Sequence, residues 1–457
     1  MRDVKIHMIG IGGAGMSGVA EVLTNRGHTV TGSDLKESPY TRRLNEFGIA
    51  VYIGHGAHQV GHADQVVIST AIPKTNPELL EARRRSIPVV PRAAALASIL
   101  EGACSIAVTG THGKTTTTSM TTHVLKTLGE DPTALVGGEL NDIGSNVVFG
   151  RPDLVIAEAD ESDRSLLQLR PKAAIVTNVE FDHPDFYASL DDVVETFSQF
   201  VDSLPADGHL VVCADDPSCP PLVAAAPCPA TTYGISAGDL TARILTPNSY
   251  ILSEAGEERG TVELGVYGRH NVLNSLAAAA TARWLGHDVY DAARTLNTFG
   301  GVRRRFQLKG ESSEVRVVDD YAHHPTELSA TLDAARATMP RGGRVIAVFQ
   351  PHRYSRTRKL YREFGEAFAS ADAVFVTEVY GAGEMPQPGV NGKLIVDAIC
   401  GTRGHPDVYY IPQQDDVPRV LRDVSETGDV VLTLGAGDIS RTGEELLELL
   451  EDRISQP

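Results

Sequence analysis

Apolar residues along this chain gather in short runs, each closed by glycine, threonine or an acidic residue and followed by a stretch with helical spacing. Residues 4–11 (VKIHMIGI), 105–109 (SIAVT), 154–158 (LVIAE), 173–177 (AAIVT) and 209–213 (HLVVC) are continuous enough to predict strands buried on both faces, as in parallel sheets. The first run enters Gly12-Gly13-Ala14-Gly15 and a helical pattern reaching Arg26; a second strand at 28–32 leads to Ser33-Asp34, with further strands near 51–53, 65–69 and 88–90. This predicts a Rossmann-like α/β domain over 1–95. The run at 105–109 opens a second unit, expected over 96–301, with a mostly parallel sheet. Between 231 and 267 the pattern turns to short alternating segments, read as an antiparallel patch, followed by an alanine-rich helix at 271–284. After GGVRRRF (300–306), read as a hinge, strands at 315–319, 344–349, 373–376 and 430–434 predict a second Rossmann-like domain over 302–457.

Composition narrows the class. The chain has 457 residues, 42% hydrophobic and 22% charged, enough for several globular domains. A formal net charge of −18 argues against a nucleic-acid binder, whose surfaces are usually basic. The five cysteines (104, 213, 219, 228 and 400) are scattered without a CxxC pair, so neither a disulfide framework nor a zinc site is indicated. No apolar run is long enough for a membrane span, and no signal peptide is evident. These features predict a cytoplasmic protein with no membrane or nucleic-acid partner.

Two glycine loops carry candidate chemistry. Residues 9–18 (IGIGGAGMSG) satisfy Gly-x-Gly-x-x-Gly between a strand and a helix, where backbone amides can hold a diphosphate, and Asp34 stands where an acid can bond a ribose. A tight turn with no ligand gives the same pattern. Residues 110–117 (GTHGKTTT) lie in the same context, yet Val108 stands where a Walker loop has its first glycine. Lys114 supplies charge for terminal phosphates, and Thr115 is placed like the residue that ligates Mg²⁺. Strand-end acids follow at Glu158 and Asp160, and at Glu180 and Asp182 beside Asn178 and His183. Solvated caps would look the same; their pairing with a phosphate loop favours one metal ion, with a second plausible.

In GTHGKTTT, in EADESD (158–163), in TNVEFDHPD (177–185), in GRHNVLN (268–274), in DDYAHHPTE (319–327) and in FQPHRYSRT (349–357), the chain resembles the Mur ligases, the ATP-dependent amide-forming enzymes of bacterial peptidoglycan synthesis. The likeness spans essentially the whole chain and is nearest to members that join L-alanine to UDP-N-acetylmuramate. It implies an acyl phosphate formed from ATP and attacked by the amine. It implies an ATP site of Gly110, Thr111, His112, Gly113, Lys114, Thr115, Thr116, His270, Asn271, Asn274 and Asp320. Thr115 and Glu158 would hold one Mg²⁺ and His183 a second, with Lys114, Glu158, His183 and Arg304 catalytic. The UDP-sugar would meet Gly12, Ala14, Gly15, Met16, Ser17, Ser33, Asp34, Ser69 and Thr70. The amino acid would meet Tyr321, His323, Arg353 and Arg356. Ligases for later steps carry a carbamylated lysine after the histidine motif; 186–205 holds no lysine, which leaves the second ion's ligands open. A monomer or a homodimer fits equally.

Two other classes compete. The first glycine loop alone suggests a nicotinamide-dependent dehydrogenase, which leaves Lys114 and the acidic clusters without a task. A nucleotide-binding regulator would bind ATP without amide chemistry.

Overall fold

The computed structural model describes residues 3–141, 144–339 and 342–455. Three sheets follow one another along the chain. The first has five parallel strands in the order 3-2-1-4-5, counted along the chain. Lys5–Ile9 runs at its centre between Thr29–Asp34 and Gln65–Ile68. The strand order reverses beside this central strand, so the crevice for a ligand lies at its carboxyl end, over the glycine turn. From that turn springs the Ala14–Asn25 helix, which buries Met16, Val19 and Leu23.

The second sheet has ten strands. Cys104–Thr109 lies in its parallel core, between Ala173–Val176 and Arg151–Glu158. The alternation read at 231–267 is an antiparallel ladder of Leu240–Thr246, Ser249–Glu254 and Glu257–Glu263. Pro132–Leu140 and Ser145–Val148 form a second antiparallel pair, which the sequence reading passed over. Gly137 and Gly138 break the apolar pattern there, because the strand must let a carboxylate approach. A Cβ on Gly137 would fall 2.5 Å from the Glu158 carboxylate oxygens. The third sheet has six strands, and only Gln307–Ser312, also passed over, runs antiparallel to its neighbour Val315–Asp320.

The two seams between these units differ in chemistry. The Ala14–Asn25 helix packs on Pro132–Leu140 and Ser145–Val148, and Met16, Val19, Leu135 and Val147 belong to one continuous apolar cluster. Gly18 allows the close approach, since a Cβ there would meet Val147 at 3.2 Å. The seam between the second and third sheets is polar. It joins Thr326 to Glu180, Arg356 to Asp182, Arg303 to Glu139 and His112 to Glu327. The first seam is held mainly by apolar packing and the second by charge and hydrogen bonds, the Arg356–Asp182 pair being buried.

Candidate active site

Val108 is fully buried and pairs with Glu158 across the sheet, so the position where a Walker glycine would stand is core strand. The loop itself starts at Gly110 (φ +131°), where a Cβ would collide with the Thr177 hydroxyl. It ends at Gly113 (φ +80°), the N-cap of the Lys114–Thr127 helix. The neighbouring strand end supports it: Asn178 accepts from Thr111 N–H through its carbonyl (3.0 Å) and from His112 N–H through its side chain (2.8 Å). The threonine-rich helix is buried because its hydroxyls bond back to carbonyls one turn earlier, as Thr118 does to Lys114 and Thr121 to Thr117.

Lys114 donates to the carbonyls of Gly110 (2.7 Å) and Thr111 (3.0 Å) and pairs with buried Glu161 at 2.8 Å. Burial opposes its charge, but Glu161, Asp160 and Glu158 outweigh burial and raise its pKa. Glu158 accepts Gly137 N–H at 2.9 Å and lies close to the Thr115 side chain, while burial raises its own pKa. These two side chains form the oxygen pair expected of a Mg²⁺ site. His183 (φ +53°) stands apart from them. Its Nε2 lies 3.5 Å from Glu161 and 3.6 Å from Asp182. Glu161, in the quoted EADESD motif but not assigned a role there, thus links the nucleotide lysine to the second candidate ligand.

A cavity of about 340 Å³ opens beside the loop, lined by Gly113, Thr116, His270, Asn274, Arg305 and Asp320. Burial holds His270 neutral, its pKa lowered to about 4, and its Nδ1 has no partner among the described residues. An orphaned buried nitrogen in a cavity wall fits a site made for a polar ligand. Asn274 bonds Thr117 and Asn271, whose amide donates to the Tyr267 carbonyl. Asp320 accepts from Phe306 and Ala322 N–H, and burial lifts its pKa to about 6.

Arg304, expected to be catalytic, bonds the carbonyls of Gly435 and Gly437 through its guanidinium and pairs with Asp319 at 3.1 Å. Arg305 lines the cavity beside Gly113 and Thr116, both arginines line a neighbouring cavity with Thr115, and both lie over the Tyr321 ring.

Around the first glycine turn, Gly12 N–H is held by Asp34 at 2.8 Å. Met16 and Ser17 are buried, and Ser17 bonds the Ala14 carbonyl, so the helix offers a ligand its backbone rather than these side chains. Ser33 also points inward, donating to buried Glu78 at 2.6 Å, which in turn binds His7 and His55. Ser69 accepts from Ala71 N–H, and Thr70 is exposed.

The amino-acid candidates cluster at the mouth of the third unit. Tyr321 and His323 stack edge to face, and burial holds His323 neutral with a pKa lowered to about 3. Arg356, 4% exposed, pairs with Asp182 through two bonds of 3.1 and 3.0 Å, so its charge is already met. Arg353 (φ +68°) is 40% exposed and has only long ion pairs, with Asp185 at 3.5 Å and Glu384 at 3.9 Å, so it is the more accessible of the two arginines to an incoming carboxylate.

His112 bridges the polar seam, with Glu327 at 3.3 Å on one nitrogen and Glu180 at 3.5 Å on the other. The His324 ring lies 4.5 Å away. His112, Glu180 and His324 bring ligand atoms within 4.8 Å of one another, but a protonated His112 meets both carboxylates without an ion. Burial alone would lower its pKa; the two carboxylates win and raise it to about 9. The clasp is thus complete below about pH 6.5 and is lost as pH rises through about 9, a contribution on the order of 3 kcal/mol. The melting-temperature gap between the wild type and His112→Asn is expected to narrow from pH 7 to 9.5. A gap constant over that range rules the clasp out.

A phosphate loop with a threonine and a strand-end carboxylate, set between a diphosphate-type glycine turn and a third unit carrying an exposed arginine, has the layout of a nucleotide-dependent enzyme. Sequence profiles match in the same order: the Mur ligase family catalytic domain over residues 5–103, the Mur ligase middle domain over 108–282, and the Mur ligase glutamate ligase domain over 304–437. The chain belongs to the Mur ligase family, ATP-dependent enzymes that form amide bonds. It is 73% identical over 447 residues to a UDP-N-acetylmuramate–L-alanine ligase of Rubrobacter xylanophilus, covering 98% of this chain and all of that one. A UDP-N-acetylmuramate–alanine ligase of Thermotoga maritima superposes with a TM-score of 0.83 at 32% identity, covering 98% and 100% of the two chains. A murein peptide ligase of Psychrobacter arcticus gives 0.72 at 25% identity, covering 98% of each. No helix among the described residues is long and apolar enough to cross a membrane.

Proposed function

We propose that this chain joins L-alanine to the carboxylate of UDP-N-acetylmuramate, with ATP converted to ADP and phosphate, in the bacterial cytoplasm. The observation that carries this reading is the position of Glu158. It lies close to Thr115 of the nucleotide loop and also lines a second cavity, shared with Ala14 and Gly15 of the first glycine turn. Phosphoryl donor and sugar-linked carboxylate would therefore meet at one carboxylate.

Lys114 and Arg305 face the charge that gathers on a phosphoryl group in transfer. Thr115 and Glu158 would hold a Mg²⁺ ion, and His183 beside Glu161 a second. Bound Mg²⁺ supplies positive charge that neutralises phosphoryl oxygens. Asn271, Asn274 and His270 would hold the nucleoside, and Asp320 its ribose. The amides of Gly12–Gly15 suit the diphosphate of the UDP-sugar. Arg353 would take the carboxylate of the incoming amino acid, with Arg356 held by Asp182 as part of the pocket wall. Closure along the polar seam keeps water from the activated carboxyl.

Phosphate release in the presence of ATP and Mg²⁺ is expected to require both UDP-N-acetylmuramate and L-alanine, with glycine and L-serine slower. Turnover that prefers a peptide amine over L-alanine would overturn the reading.

A further inference from the structure

The helix Tyr354–Glu366 starts at Arg353, and that start is held in an unusual way. Arg353 is the N-cap, with φ +68° and ψ 137°, a backbone conformation that residues other than glycine rarely adopt. Its side chain does not cap the helix, and the first turn contains no acidic residue. The first amides of a helix have no partner within it, so groups from outside must meet them. Backbone strain of this kind persists only where surrounding contacts impose it.

Those contacts come from the segment that follows the strand Ala373–Val376. The Tyr380 carbonyl accepts Arg353 N–H at 2.8 Å, and the His352 and Tyr380 rings stack at 5.8 Å. A tight turn then runs from Gly381 to Glu384, closed by Glu384 N–H on the Gly381 carbonyl at 2.9 Å. Both of its central residues, Ala382 and Gly383, have positive φ. The turn brings the Glu384 carboxylate back to the helix start. One oxygen accepts Ser355 N–H at 2.9 Å, and the other accepts the Ser355 hydroxyl at 2.6 Å. A carboxylate is also the favoured charge at a helix N-terminus. From the helix side, Thr357 donates to the Arg353 carbonyl through its N–H (3.1 Å) and its hydroxyl (2.8 Å). Arg353 is thus gripped on both sides of its Cα. Both Glu384 oxygens are committed to Ser355, and the Arg353 guanidinium lies 3.9 Å away, beyond a hydrogen bond.

We propose that Glu384 is a positioning residue for the amino-acid substrate: it caps the Tyr354–Glu366 helix from outside and holds Arg353 in the backbone conformation from which its guanidinium meets the incoming carboxylate. The role rests on the proposed activity and on Arg353 as the residue that takes that carboxylate. Without the cap, Arg353 relaxes toward ordinary negative φ, which re-aims its Cα–Cβ bond. The cost falls on the amino acid, because neither the phosphate loop nor the first glycine turn touches this segment.

Steady-state turnover of the full chain with each substrate varied in turn tests this. Glu384→Ala is expected to raise the KM for L-alanine by about tenfold, with kcat and the other two KM values within about threefold. Glu384→Gln keeps an acceptor for Ser355 N–H and a donor for its hydroxyl, so its KM should stay within about threefold of the wild type. Arg353→Ala should raise the same KM, and adding Glu384→Ala to it should raise it no further. Should Glu384→Ala melt too early to assay, Glu384→Asp, a methylene short of Ser355, should show the rise instead. An unchanged KM in the assayable variant, while Arg353→Ala raises it, overturns the positioning role alone. Glu384→Gln as impaired as Glu384→Ala, or additive effects in the double variant, also overturn it, since Glu384 would then act on the substrate through its own charge. Arg353→Ala without effect on this KM overturns the Arg353 assignment beneath the role. A wild type with no alanine-dependent turnover overturns the activity itself.

Discussion

Lys114→Ala is expected to lower kcat by about a thousandfold or more while leaving UDP-N-acetylmuramate binding within about twofold. The lysine stands at the N-terminus of the loop helix, and the phosphoryl group in transfer has few other cations to meet it. In the proposed assignment the diphosphate of the sugar nucleotide sits on the first unit, so its binding should change little. A complication comes from Glu161, which is buried and takes its main counter-charge from Lys114 at 2.8 Å. Removing one partner of such a pair leaves an uncompensated charge and costs about 3–5 kcal/mol. Lys114→Ala should therefore also melt earlier. The double variant Lys114→Ala with Glu161→Gln separates the effects, because it should recover melting temperature but not turnover. Turnover near wild type in either variant would remove the lysine from the phosphate role.

The second large effect distinguishes adjacent arginines. Arg305→Ala is expected to lower kcat by about a hundredfold to a thousandfold with little change in melting temperature. Arg305 lines the nucleotide cavity, and its nearest acidic partner, Glu327, is 3.7 Å away. Arg304→Ala should do the reverse. It removes a donor from two carbonyls and the cationic partner from fully buried Asp319, which keeps only the Thr433 hydroxyl, at about 3 kcal/mol, yet should keep kcat within about tenfold. If Arg304→Ala proves catalytically dead at a normal melting temperature, the hinge rearranges on binding and the two roles exchange.

Much of the site could be read along the chain because its elements are local. A phosphate loop is a strand, a turn and a helix start within one short segment, and its glycines and lysine are adjacent in sequence. The acids that support it sit at the ends of parallel strands, where apolar runs announce them. What escaped notice was long-range or masked. Glu384 lies in a tight turn whose importance comes only from the helix start it meets. Gly137 looked like an interruption because its purpose is to make room for Glu158, distant in sequence. Asp182, which pairs with Arg356 across the seam, and Glu78, which takes the Ser33 hydroxyl, are likewise distant in sequence from the residues they hold.

The sequence by itself determined the α/β class, the phosphate loop and the family resemblance, since hydrophobic period, turn glycines and motif order are properties of neighbouring residues. Only the tertiary structure decided that Arg304 bonds the carbonyls of Gly435 and Gly437, that Asp182 pairs with Arg356 across the seam, and which side chains wall the seam beside Glu158. Those outcomes depend on where separate segments meet and on which charge finds a partner first. Neither is written in the order of residues along a single strand or helix.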